Sequence, residues 1–205
     1  MSDIRGDTPL QCLKADVVRA YGRFSARALA VGLLRERTLR PVVTMRLCQA
    51  AQNIQPATAG TALGFILRGF HRWFCSRAGI DLAWNTVIGA GFRVTHGWGL
   101  VVTPSARVGR NVTVFHGVTI GQRDEIADDG TRTTSYPTIE DDVWIGPHAV
   151  IIGGVNVGHG SRIAPQTTVV TDVPPRAIVG GNPMRLLREN APLDVVNRVE
   201  FAREE

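Results

Sequence analysis

The sequence predicts a mainly β protein, a short-period parallel solenoid preceded by an α-helical segment, and three observations carry that prediction. Fourteen aliphatic residues fall on a six-residue ladder, in three registers. These are Leu82, Ile88, Val94, Leu100; Val102, Val108, Val114, Ile120; and Ile139, Ile145, Ile151, Val157, Ile163, Val169. A helix spaces apolar residues near 3.6 and a half-buried strand near 2, so neither generates sixes; a fixed short period marks a stacked repeat. Gly follows the rung at Ile88, Val108, Ile120, Ile145 and Val157, as tight corners and possible positive φ would favour. Before residue 79 the ladder is absent and the residues are helix formers broken by Gly and Pro.

Taken in order, residues 1–78 form a basic α-helical region. One helix is expected over Asp16 to Leu34, a second opened by Pro41, and a third over Leu63 to Phe74. Residues 79–183 form the solenoid, about five coils, each burying its rungs on its neighbours and needing a cap at the open end. Its two irregularities are the step of two from Leu100 to Val102 and the gap of nineteen from Ile120 to Ile139. The polar stretch 122–137 in that gap reads as a protruding loop of functional character. Residues 184–205 are expected to be a short helical tail over Met184 to Asn190 and Asp194 to Arg203.

Charge divides the chain. Residues 1–80 carry 12 Lys and Arg against 4 Asp and Glu, while residues 81–205 carry 11 against 14. Arginines mixed with Leu, Phe and Trp before the solenoid are compatible with peripheral contact at an anionic membrane surface, although a solvated basic helix face is the plainer reading. No nucleic-acid reading motif accompanies them. No apolar run reaches the length of a membrane span, and no signal pattern opens the chain. Cys12, Cys48 and Cys75 lack metal spacing and read as free thiols suited to a reducing cytoplasm, so a cytoplasmic location, at most at the inner membrane surface, is expected.

Four motifs resemble the hexapeptide-repeat acyltransferases, nearest to serine acetyltransferases and polysaccharide O-acetyltransferases. They are Gly79-Ile80-Asp81, Thr95-His96-Gly97-Trp98-Gly99-Leu100-Val101-Val102, His116-Gly117-Val118-Thr119-Ile120-Gly121 and Asp142-Val143-Trp144-Ile145-Gly146. The run from Val173 to Pro183 is similar to the same family's C-terminal signature. The resemblance implies a left-handed parallel β-helix and a homotrimer or a dimer of trimers. It also implies transfer of acetyl from acetyl-CoA to a hydroxyl. On these positions it assigns His96 as general base, with Asp81, fifteen residues earlier, orienting it.

The chemistry suits those residue types. A hydroxyl attacks a thioester only as its proton leaves, neutral imidazole takes that proton near pH 7, and a carboxylate fixes the tautomer. His116, twenty residues after His96, is the second catalytic candidate, for acceptor binding or as the base itself. His148 and His159 read as structural, and His71 carries no signal. By the resemblance, Gly121, Gly146, Pro147, Ala164 and Pro165 line the acetyl-CoA groove, with Arg185 near the CoA phosphates. Zinc needs three or four convergent ligands, and the H-x4-H pair of carbonic-anhydrase-like relatives is absent, so no metal is expected.

The acceptor is read from a departure. Where the serine enzymes end their loop in an R-H-P-K-I-like segment, this chain has Ser135-Tyr136-Pro137-Thr138-Ile139, without the cations that hold a carboxylate. Tyr136 and Trp98 are therefore expected to bind a saccharide or polysaccharide-precursor hydroxyl, with serine as the alternative small-molecule acceptor. A non-catalytic scaffold and a metal-dependent hydratase are the competing classes.

Overall fold

The computed structural model describes residues 6–201. Four helices precede the solenoid: α1 (Pro9–Tyr21), α2 (Ala26–Arg35), α3 (Leu39–Ala51) and α4 (Ala57–Ala78). Thr8 and Gln11 close a capping box on α1, satisfying two otherwise orphaned amides. Gly22 ends α1 in the left-handed conformation at φ 74, and Ser25 caps α2. The single helix expected over 16–34 is therefore two, because a left-handed glycine returns its N–H to the last turn and stops propagation. The third expected helix is longer than the sequence pattern, running from Ala57 to Ala78 before Gly79, φ 64, turns the chain into the first coil.

The solenoid has three parallel faces. Ile80–Leu82, Leu100–Val102, Thr119–Gly121, Val150–Ile152 and Thr168–Val169 form the first. Val87–Ile88, Arg107–Val108, Thr138–Ile139 and Asn156–Val157 form the second. Arg93–Val94, Thr113–Val114, Trp144–Ile145, Arg162–Ile163 and Ile178–Gly180 form the third. The rungs become three vertical columns. Leu82, Val102, Ile120, Ile151 and Val169 stack in register on the first face, and Val94, Val114, Ile145, Ile163 and Val179 on the third. All are buried, each worth about 1.5–3 kcal/mol of transfer free energy.

Leu100 is buried but is not a rung. It pairs with Ile80, two residues before Leu82 and Val102 in the same strands. The step of two is the ordinary strand period, and the first coil is two residues longer at its corner. The glycines after the rungs also have another cause than positive φ. A Cβ on Gly109 would lie 2.4 Å from the Asp141 carboxylate, and one on Gly146 2.9 Å from the Ile163 carbonyl. Close approach of successive coils, not dihedral freedom, demands Gly89, Gly109, Gly146 and Gly158, whereas a Cβ on Gly121 would meet nothing closer than 3.5 Å. The left-handed corner positions fall instead to Gly97, Gly117, His148 and Gln166 on one edge, and to Asn111, Asp142 and Arg176 on another.

The loop at 122–137 is an antiparallel hairpin of Arg123–Ile126 and Arg132–Ser135, projecting where the first face turns into the second. The expected helical tail is absent from the described residues. Arg185–Arg188 instead forms an antiparallel strand against Ile178–Gly180, which offers unpaired backbone groups at the open end of the stack. Residues 191–199 then run back along the edge between the second and third faces. Ala191 donates to Arg176, Arg198 pairs with Asp142, and Val199 exchanges hydrogen bonds with Asn111. Residues 202–205, including Arg203, lie outside the described residues.

Charged groups fasten the helices to the first coil. Arg46 of α3 is fully buried, lies 2.9 Å from Asp16 of α1 and donates to the Ile88 and Gly89 carbonyls at 2.7 Å each. Asp16 also accepts from the Phe92 amide at 2.8 Å. The first coil has no preceding coil to take these carbonyls and amides, so buried side chains do.

Candidate active-site edge

One edge of the prism, where the third face turns into the first, gathers most of the sequence candidates. The turn after Val94 is tight: Gly97 donates to Thr95, Trp98 to His96, and Leu100 to Gly97. It holds His96 at φ 64 with its side chain exposed. The neighbouring coil places His116 directly beside it, ring centroids 5.9 Å apart and edge to face. His148 follows on the next coil, 4.9 Å from His116 at 90°. His148 occupies the left-handed position held by Gly117 one coil earlier, and a Cβ on Gly117 would lie 2.2 Å from its Nδ1. The result is a column of three imidazoles. His116 Nδ1, in its middle, is buried and has no hydrogen-bond partner, an expensive state for a ring nitrogen that a bound acceptor or a neighbouring group would relieve.

Gly146, Pro147, Ala164 and Pro165 continue the same edge. The Gly146 amide donates to Ile163 and the Ala164 amide to Val179, both at the coil stack. Both amides are therefore already committed to the coil stack. Trp98, also on this edge, is 58% exposed, yet one face of its ring carries the Arg37 guanidinium at 3.9 Å. Arg37 also donates to the His96 carbonyl, so α2 and α3 reach the edge through one loop arginine.

Four candidates, Gly121, Tyr136, Arg185 and Asp81, lie elsewhere in the chain. Gly121 and Tyr136 sit at the corner between first and second faces, beside the hairpin. A six-residue repeat at about 3.3 Å per residue separates adjacent edges by roughly 15–20 Å. A base must lie about 3 Å from the proton it takes, so one protomer does not unite Tyr136 with His96. Arg185 is exposed in the terminal antiparallel strand.

Asp81 is exposed in the first strand, its Cα opposite Val101, and no hydrogen bond or ion pair joins it to His96 among the described residues. It lines a groove of about 430 Å³ with Arg68, Arg72, His71 and Trp84, between α4 and the first coil. His71 there is structural: its Nε2 donates to the Leu82 carbonyl at 2.8 Å, and Nδ1 accepts from the Thr44 hydroxyl at 3.0 Å. Burial pushes its pKa down, keeping it neutral. Burial pushes the adjacent Cys75 thiol up to about 12, with the Asp81 charge adding to it, so this cysteine is no nucleophile.

Sequence reading missed His148 as a member of the column. The signal is present once the hairpin insertion is removed, because the coil register then sets His148 opposite Gly117. Among the described residues no cluster of metal-ligating side chains is present.

Comparison with known proteins fits this architecture. Residues 136–171 match the bacterial transferase hexapeptide model, described as six repeats. Serine acetyltransferase of Mycobacterium tuberculosis is 38% identical over 114 residues, which cover 56% of this chain and 48% of that protein. The crystal structure of Brucella abortus serine acetyltransferase in complex with coenzyme A aligns at TM-score 0.68 and 26% identity, over 89% of this chain and 68% of that one. Serine acetyltransferase of Neisseria gonorrhoeae in complex with serine gives 0.67 and 27%, over 88% and 69%.

Over its solenoid the chain is similar to serine acetyltransferases. Its solenoid of about five turns has the left-handed β-helix fold of hexapeptide-repeat acyltransferases. The chain spans about half the length of the curated relatives it matches.

Proposed function

We propose that this protein is an acetyl-CoA-dependent O-acetyltransferase acting on a small hydroxyl acceptor, with serine the first candidate. The observation that carries the reading is the histidine column, three imidazoles on an edge that continues into the small residues Gly146, Pro147, Ala164 and Pro165. His96 is the exposed end of the column and takes the acceptor's hydroxyl proton as the oxygen attacks the thioester carbonyl. The tetrahedral adduct then collapses, the carbon–sulfur bond breaks, and the departing thiolate recovers the proton from the imidazolium. His116 backs His96, its ring edge to face with the His96 ring. Asp81 can orient the base only by leaving the α4 groove that it lines, a movement that substrate binding would have to supply.

The separation of His96 from Gly121 and Tyr136 supports a trimer, in which the histidine edge of one protomer would face the hairpin edge of the next. The saccharide acceptor expected from Tyr136 is the weaker reading, because the relatives' names and the serine complex favour an amino-acid acceptor. The loop nevertheless lacks the serine enzymes' cationic pair. The discriminating experiment measures CoA release with serine, homoserine and a sugar panel. Turnover with serine alone establishes the proposal, and turnover with sugars alone replaces it. His96→Ala should lower turnover roughly a hundred- to ten-thousand-fold while thermal stabilisation by CoA persists. Full activity in that variant would remove His96 as the base.

A further inference from the structure

We propose that the outward face of α4 is a docking surface for an anionic lipid bilayer. The helix is apolar on both sides. Its inward side, Gly60, Gly64, His71, Cys75 and Ala78, is buried against α3 and the first coil. Its outward side carries Leu63, Phe65, Ile66, Phe70 and Trp73, exposed by 41 to 75%. A helix apolar all round is ordinarily buried all round. Half of this one is open, and it combines aromatic and aliphatic residues with basic flanks, the composition of a helix lying in a bilayer interface.

Charge decides the occupant. The 22 residues of α4 contain no Asp or Glu, and Arg72 and Arg77 flank or cap the exposed apolar residues, Arg77 with its guanidinium 5.1 Å from the Trp73 ring, while Arg68 turns inward over Trp84. The acids of residues 6–78 are engaged in ion pairs: Asp7 with Arg110, Asp16 with Arg46, and Glu36 with Arg93. Asp81 lines the groove between α4 and the first coil together with Arg68 and Arg72. A second copy docked helix to helix on the outward face would bring Arg77 against Arg77, with no carboxylate of α4 to neutralise either. Phosphate headgroups supply that charge, and the acyl boundary takes the Phe and Trp rings. Among the described residues no helix is long and apolar enough to cross a membrane, and the proposed contact is interfacial.

The test is co-sedimentation of the full chain with phosphatidylglycerol-rich vesicles and with phosphatidylcholine vesicles, at low and high salt. Binding is expected only to the anionic vesicles, weakened by salt, and roughly fivefold weaker for each arginine removed in Arg72→Gln and Arg77→Gln. Phe65→Ser with Phe70→Ser should abolish it while circular dichroism and thermal stabilisation by CoA stay unchanged. Absence of binding to anionic vesicles overturns the proposal, and so does equal binding to phosphatidylcholine. Light scattering adds a third arm: if the Phe65→Ser, Phe70→Ser protein falls to a smaller oligomer while neither protein binds vesicles, another copy covers the face and the proposal fails.

Discussion

The solenoid and the helical cap solve one problem, burying a chain's polar backbone, by opposite means. In the solenoid every coil is the hydrogen-bonding partner of the next, so its interior is filled by Val, Ile, Leu and small residues, with Phe92 in the first coil. At the first coil the partner is missing, and α1 and α3 replace it with ionic side chains. Arg46 takes two carbonyls, Arg19 takes those of Gly91 and Asn111, and Asp16 takes an amide. The difference teaches that a repeat is stabilised by many small interchangeable contacts, whereas its cap depends on a few specific ones. Loss of one member of a buried pair leaves the other charge uncompensated, which costs more than the pair contributed.

That contrast gives an order of effects. Arg46→Ala should cost about 3–5 kcal/mol in chemical denaturation, because Asp16 remains buried without its partner. The double replacement Asp16→Leu, Arg46→Met should recover only part of it, because the Ile88 and Gly89 carbonyls and the Phe92 amide then stay unpaired, and a single replacement that is neutral would break the comparison. In the solenoid, Ile151→Ala, between Ile120 and Val169, should cost about 2–5 kcal/mol by leaving a cavity.

Acid should loosen the cap further. Burial holds the folded-state pKa of His71 below that of the unfolded chain, about 6.5. As pH falls below about 6.5 the unfolded state takes up a proton that folded His71 refuses. Stability is then lost at up to about 1.4 kcal/mol per pH unit until the folded pKa is reached, and above 6.5 this contribution is flat. His71→Gln should remove that slope, and an unchanged pH profile would exclude His71 as its source. The smallest effect is chemical: Cys48 and Cys75, pushed up to about 11 and about 12 by burial, should resist alkylation in the native protein and react once it is unfolded. Mass spectrometry of the labelled protein reads this directly.

The rungs were legible because a period is a property of the chain itself. Ile139 through Val169 state their own partners once the coil length is known. The same arithmetic misread Leu100, since one apolar residue two positions before a rung satisfies a six-residue count as well as a two-residue one. It also misread the tail, where Met184 to Asn190 has helix-forming composition but meets an open sheet edge. In the site, His96 and His116 were legible from their motifs, while His148 was hidden by the hairpin insertion that breaks the count between them.

Sequence alone determined that this protein is a stacked repeat with an unlike, basic helical cap, because apolar spacing and charge are written in linear order. Tertiary structure alone decided that three histidines share one edge, that Tyr136 stands on another and that Asp81 faces α4. The physical reason is that a corner's position depends on the accumulated length of every coil before it. One insertion or one longer turn shifts which side chains meet, without changing the pattern that makes the coils form.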